Sequence, residues 1–176
     1  FSKTLSRAID VQAEEIKSLG IRAILTRGSM SLSEENGGLP PSNVVQTEDV
    51  ILKDSERLID QWHDRSEGAM LQIALAPCSP FSVTEELMSA SAQLAREKKV
   101  LLHTHLAETS DENSFCENLY GCRPLDYLEK VGWLSSNVWL AHGIHFSSEE
   151  IQRLGRTKMG ICHCPSRSEE RRVGKE

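Results

Sequence analysis

The chain has 176 residues, of which 39% are hydrophobic and 26% charged, with a formal net charge of −6 and a pI of about 5.6. That length suits one ordinary domain with a sizeable core, and the balance of apolar and charged residues excludes a disordered or fibrous class. The acidic balance argues against nucleic acid as a partner, no apolar run approaches the roughly 20 residues that cross a bilayer, and five cysteines without a paired framework read as reduced thiols of a cytoplasmic protein.

The N-terminus, FSKTLSRAID, lacks the layout of a signal peptide, and a first residue of Phe1 rather than Met leads us to expect the true start upstream. Residues 5–18 place Leu5, Ile9, Ala13 and Ile16 on one helical face, closed by Gly20. IRAILTRG, ending at Gly28, reads as a buried strand, and SMSLSEENGGLPPSN as a turn-rich loop. TEDVILKDSERLIDQWHD spaces Ile51, Leu52, Ser55, Leu58, Ile59 and Trp62 at helical intervals, with Thr47 or Asp49 as a cap and His63 inside the helix.

LQIALAP is a second buried strand, broken by Pro77. The pattern Ser82-x-x-Glu85 opens the helix SVTEELMSASAQLAREKK as a capping box would. VLLHTHLAE is a third strand, followed by helical stretches around Asn113–Leu119 and Pro124–Val131. NVWLAHG is a fourth strand, Ser147-x-x-Glu150 opens the helix EEIQRLGR, and KMGICHCP is a fifth strand. Strands separated by helices of this length predict an α/β fold with a parallel sheet, either a (β/α)8 barrel or a doubly wound sheet. No glycine-rich phosphate loop follows any strand, which counts against a nucleotide fold.

The six histidines are unevenly placed. His103, His105, His142 and His163 lie in or at the C-terminal end of a predicted strand, with His145 just beyond. In a βα barrel that end carries the chemistry. Any one of them alone would read as a core or surface residue, but four from three strands make coincidence the weaker explanation, and imidazole is a common metal ligand. Alternation sends His103 and His105 to one face, and Glu108 follows where the strand gives way to loop. A metal-held histidine beside a carboxylate suits hydrolysis, although Glu108 alone is equally well read as a helix cap or a solvated acid. CHCP lacks the spacing of a zinc site, so a buried packing role is expected for Cys162 and Cys164; packing is also the reading for Cys116 and Cys122. Cys78 differs, because it directly follows Pro77 on the rim.

APCSPFSVTEELM, LLHTHLAET, WLAHGIHFSSEEI and ICHCPS, in this order, resemble the metal-dependent amidohydrolase superfamily, in the branch that holds guanine deaminase, the triazine hydrolases and 8-oxoguanine deaminase. RGSMSLSEENGGLPPSNVVQ looks most like the 8-oxoguanine deaminase subgroup. The resemblance implies a (β/α)8 barrel with one divalent metal, zinc or iron. It assigns His105 as a metal ligand, Glu108 as the acid that protonates a ring nitrogen and helps ammonia leave, and His142 as the group that orients the attacking hydroxide. Cys78, Ser79 and Arg27 stand where substrate contacts are expected. The implied substrate is a small heterocycle, an aminopurine or similar cyclic amidine, whose amino-bearing carbon is attacked with loss of ammonia. A triazine or pterin amidohydrolase and a non-catalytic binding domain derived from the barrel are the alternatives. The complete enzyme could be a homo-oligomer; neither nucleic acid nor a membrane is an expected partner.

The resemblance also implies that residues 1–166 form part of a barrel domain, covering about its third to seventh strands. The H-x-H pair of the first strand and the Asp of the eighth are not in this sequence, so the chain alone is expected to be inactive. RSEERRVGKE equals the in-frame translation of AGATCGGAAGAGCGTCGTGTAGGGAAAGAG, a common sequencing-library adapter, and residues 167–176 are therefore expected to be a non-native tail.

Overall fold

The computed structural model describes residues 7–164, and the expectations placed on Leu5, on Pro165 and Ser166, and on residues 167–176 fall outside them. Helices and strands alternate in chain order, apart from two successive helices between β3 and β4: α1 (Ala8–Leu19), β1 (Ala23–Ser29), α2 (Glu48–Trp62), β2 (Leu71–Pro77), α3 (Glu85–Lys98), β3 (Leu101–Leu106), α4 (Asp111–Tyr120), α5 (Pro124–Lys130), β4 (Val138–His142), α6 (Ser148–Thr157) and β5 (Gly160–Cys162). No helix among the described residues is long and apolar enough to cross a membrane.

The five strands form one parallel sheet in the order β1-β2-β3-β4-β5. A doubly wound sheet reverses its order at a switch point, whereas here each strand lies beside its sequence neighbours throughout. Alternation then divides each strand between two faces. Ile73, Leu75, Leu102, Leu106 and Leu140 join the core cluster beneath the helices, with Ile51, Leu58 and Ile59 of α2 and Leu87 and Met88 of α3. Trp133, in the turn before β4, is fully buried in that cluster, and its indole N–H donates to the Met88 carbonyl at 2.9 Å. The opposite face carries His103 and His105, whose register partners on β4 are Trp139 and Ala141.

Several local expectations change. The cap of α3 is Thr84, whose hydroxyl accepts from Leu87 N at 3.2 Å, and not Ser82. Ser82 is occupied elsewhere: its carbonyl accepts from Ser31 N and Leu32 N, and its hydroxyl lies 2.6 Å from Ser79 Oγ. The capping box of α6 is present as read from the sequence, with Ser147 and Glu150 bonding reciprocally. Thr47 precedes α2 without a side-chain cap bond. His63 lies one residue past α2, and its Nδ1 accepts from Ile73 N at 3.0 Å. Cys116 is buried as expected, and burial pushes its thiol up to about 12. Cys162 is exposed rather than buried, because β5 is the edge strand of the sheet among the described residues.

The loop between β1 and α2 folds over the segment after β2. Ser31 N and Leu32 N donate to Ser82 O, Leu39 N to Phe81 O, and Gln46 N to Met30 O. Gly38 is where the loop crosses itself most tightly, since a Cβ there would run into the Leu32 carbonyl. Backbone cannot yield as a flexible side chain does. Gly38→Ala is therefore expected to cost about 1–3 kcal/mol, read as a lower urea midpoint of the complete protein. An unchanged midpoint would show that the loop adjusts freely.

Candidate active site

The candidate site lies at the C-terminal ends of β2, β3 and β4, and a main-chain atom organises it. The Cys78 carbonyl, one residue past β2, accepts from His105 N at 3.0 Å, from Thr104 Oγ1 at 3.2 Å and from His105 Nδ1 at 2.6 Å. The third bond fixes the imidazole tautomer: a carbonyl only accepts, so Nδ1 carries the proton. Nε2 of a neutral His105 then keeps its lone pair, the state required of a metal-ligating histidine whose other nitrogen is tied to a backbone oxygen. The Cys78 thiol is 3.9 Å from the same Nδ1. Burial pushes that thiol up, but His105 and Ser82 together outweigh it and the net shift is downward, while the Cys78 contact raises His105. The carbonyl bond is far shorter, so it is the one that sets the ring's orientation.

His103 shares the face of His105, with ring centroids 5.6 Å apart, but serves differently. It stacks on Trp139 at 4.6 Å and its Nδ1 lies 3.1 Å from the Trp139 carbonyl. Burial lowers its pKa, which favours a neutral ring packed in the sheet.

His142 is the unusual residue. Strict alternation from Leu140 would send it toward the helices, but its φ is +75°, a left-handed value rare in non-glycine residues. That turn brings its ring to 5.5 Å from His105, centroid to centroid, with Nε2 3.5 Å from Glu108 Oε2. Gly143 follows at φ +68°, and a Cβ there would press on Ile161 and Phe146. Ala107, preceding Glu108, is also left-handed at φ +54°. The two turns are stitched together: Gly143 N donates to Leu106 O, and Ile144 N and His145 N both donate to Ala107 O. Strain of this kind gathers at functional sites, where the surroundings over-determine it.

The structure thus brings together His105, Glu108, His142 and Cys78. Ser79 is adjacent and lines an open apolar depression of about 370 Å³ with Met30, Leu39, Pro41, Val44 and Phe81. Arg27 is not brought to this group. Its register partner Leu75 faces the helices, and Arg27 points the same way. There Nε donates to Asp54 at 3.0 Å, one terminal nitrogen to the Gly28 carbonyl at 2.6 Å and the other to Gln46 at 3.0 Å. All three guanidinium nitrogens are engaged by the protein, so that Arg27 braces β1 against the loop and α2. His163 is exposed just past β5. Glu112, one residue before the stretch that the sequence reads as helical, is buried beneath Glu108 and was missed; its position four residues after Glu108 was the one available signal.

Residues 1–176 match the amidohydrolase family. The chain belongs to that family. The segment is 61% identical over 166 residues to 8-oxoguanine deaminase of Pseudomonas aeruginosa, covering 94% of this chain and 37% of that protein. Hydroxydechloroatrazine ethylaminohydrolase of a Pseudomonas species is 37% identical over 90% of this chain and 32% of its own length. Among solved structures, a triazine hydrolase of Arthrobacter aurescens superposes with a TM-score of 0.86 at 37% identity, over 89% of this chain and 34% of that one. An atrazine chlorohydrolase of the same organism, solved with zinc, gives 0.85. The amidohydrolase segment therefore spans about a third of the length of these relatives.

Its residues fit a divalent metal in kind but supply only part of a site. His105 has the tautomer and the second-sphere bond of a ligand, yet among the described residues no group of three His, Cys, Asp or Glu side chains could hold an ion.

Proposed function

We propose that the protein carrying this segment is a metal-dependent hydrolytic deaminase acting on the C–N bond of a cyclic amidine or aminopurine such as 8-oxoguanine. The supporting observation is that His105, with its tautomer fixed by a main-chain bond, stands beside the Glu108–His142 pair on one rim. The 61% identity to 8-oxoguanine deaminase favours that substrate class. We place the segment at about the third to seventh strands of a (β/α)8 barrel, whose C-terminal face holds the site. The site works in a soluble, cytoplasmic protein.

Zinc or iron, held in part by His105, would when bound supply the Lewis acidity that gives a water hydroxide character near neutral pH. This chain's own residues do the rest. His142, through Nε2, orients the attacking oxygen. Glu108 takes one proton from that oxygen and delivers it to the ring nitrogen, then takes the second from the same oxygen, which becomes the carbonyl, and delivers it to the amine that departs as ammonia, as a carboxylate within reach of both can. Cys78 and Ser79 contact the heterocycle from the end of β2.

The test uses the complete protein with metal and measures ammonia released from 8-oxoguanine, guanine, isocytosine and hydroxytriazines. Preferential turnover of 8-oxoguanine is expected. The triazine relatives support a second reading, in which alkylamine or halide leaves instead, and preference for a substituted triazine would establish it. Metal content without turnover of any ring would sink both. His105→Ala is expected to lower bound metal by at least about tenfold at limiting metal concentration, since losing a ligand exceeds losing an outer-sphere partner. Full metal occupancy in that variant would remove His105 from the ligand set.

A further inference from the structure

Glu112, in the first turn of α4, is 1% exposed, and so is a carboxyl buried almost completely. Its Oε2 accepts from the Glu108 backbone N–H at 2.9 Å, and the Ala107 N–H also bonds to the carboxylate. Its Oε1 is buried with no hydrogen-bond partner among the described residues. Burying a carboxyl at such a place is expensive, and an apolar residue of similar volume would avoid the cost. What the carboxyl holds is specific. The Ala107–Glu108 turn is left-handed at Ala107, and its carbonyl side is already fastened to the β4 turn by Ile144 N and His145 N. Its N–H side has Glu112.

We propose that Glu112 is a positioning residue that clamps the Ala107–Glu108 turn and so aims the Glu108 carboxylate at the rim; this rests on the role given to Glu108 above. The acceptor matters here, not the charge. A glutamine keeps an acceptor for the Glu108 N–H, whereas a leucine fills the space and leaves the turn unheld.

The experiment compares Glu112→Gln, Glu112→Leu and Glu112→Ala in the complete, metal-loaded protein, the alanine serving if the leucine does not fit. Steady-state kinetics, metal content and amide hydrogen exchange of the 107–111 segment are measured. Glu112→Gln is expected to stay near the parent rate. The leucine or alanine variant is expected to lose about a hundredfold in kcat, the effect of a misplacement of about 1 Å, with KM and metal content held. Exchange is expected to quicken at Ala107 and Glu108 while β3 stays protected. Parental kcat in the leucine or alanine variant would overturn the proposal. So would equal losses in the glutamine and leucine variants, or exchange quickened throughout β3 and α4, which would mark a general structural role. The exchange contrast reads the clamp even where no tested heterocycle is turned over, so it survives failure of the deaminase reading. Conversely, turnover lost in Glu108→Gln but kept in Glu112→Leu would reject the clamp alone.

Discussion

Glu108→Gln in the complete protein is expected to lower kcat by about 10²–10⁴-fold, the usual contribution of a positioned acid–base group, while leaving metal bound. The substitution keeps the side chain's size, and its amide can still reach His142, whose Nε2 is 3.5 Å from the Glu108 carboxylate. What it removes is the capacity to accept a proton and pass it on. The Glu108 backbone, held by Glu112, should not move. The loss should therefore fall on kcat with little change in KM. Metal analysis alongside the kinetics separates this from loss of the ion. If the variant kept most of the parental rate, proton transfer would have to be reassigned, and no other carboxylate is placed beside His142 in the contacts described above.

Trp133→Ala is expected to cost about 3–5 kcal/mol of stability. The indole is fully buried in the cluster that joins β2, β3, β4 and α3. Removing it opens a cavity that neighbours in regular elements cannot collapse to fill. It also leaves the Met88 carbonyl, which accepts from the indole N–H, without that donor. A urea melt of the complete protein reads the change, and a shift below about 1 kcal/mol would mean that the site repacks. Trp133→Phe keeps most of the volume but not the donor and is expected to fall between the two.

The sequence carried the sheet and much of the site because both depend on short periods. The i, i+2 spacing of His103 and His105 placed them together, and the structure agrees. His142 was found by its strand, but its aim was not legible: alternation gives the wrong side, and only the left-handed turn corrects it. The bracing contacts of Arg27 were illegible for a related reason. Its partners Gln46 and Asp54 come from a loop and a helix whose packing no local pattern reports. Ser82 was read as the cap of α3, but the loop over β2 claims its carbonyl and Thr84 caps the helix instead. Glu112 lay outside the stretch read as helical, which began at Asn113, so its burial beneath Glu108 could not be anticipated.

The bond from His105 to position 78 ends on the peptide oxygen rather than on the side chain. Main-chain atoms persist through every substitution that preserves the backbone, so the identity of residue 78 can drift without rotating the imidazole. One residue thus performs two separable tasks, a fixed one through its carbonyl and an adjustable one through whatever side chain it presents to the rim. Under the deaminase reading proposed above, the ring accepted can be retuned at this position while the His105 imidazole keeps its tautomer.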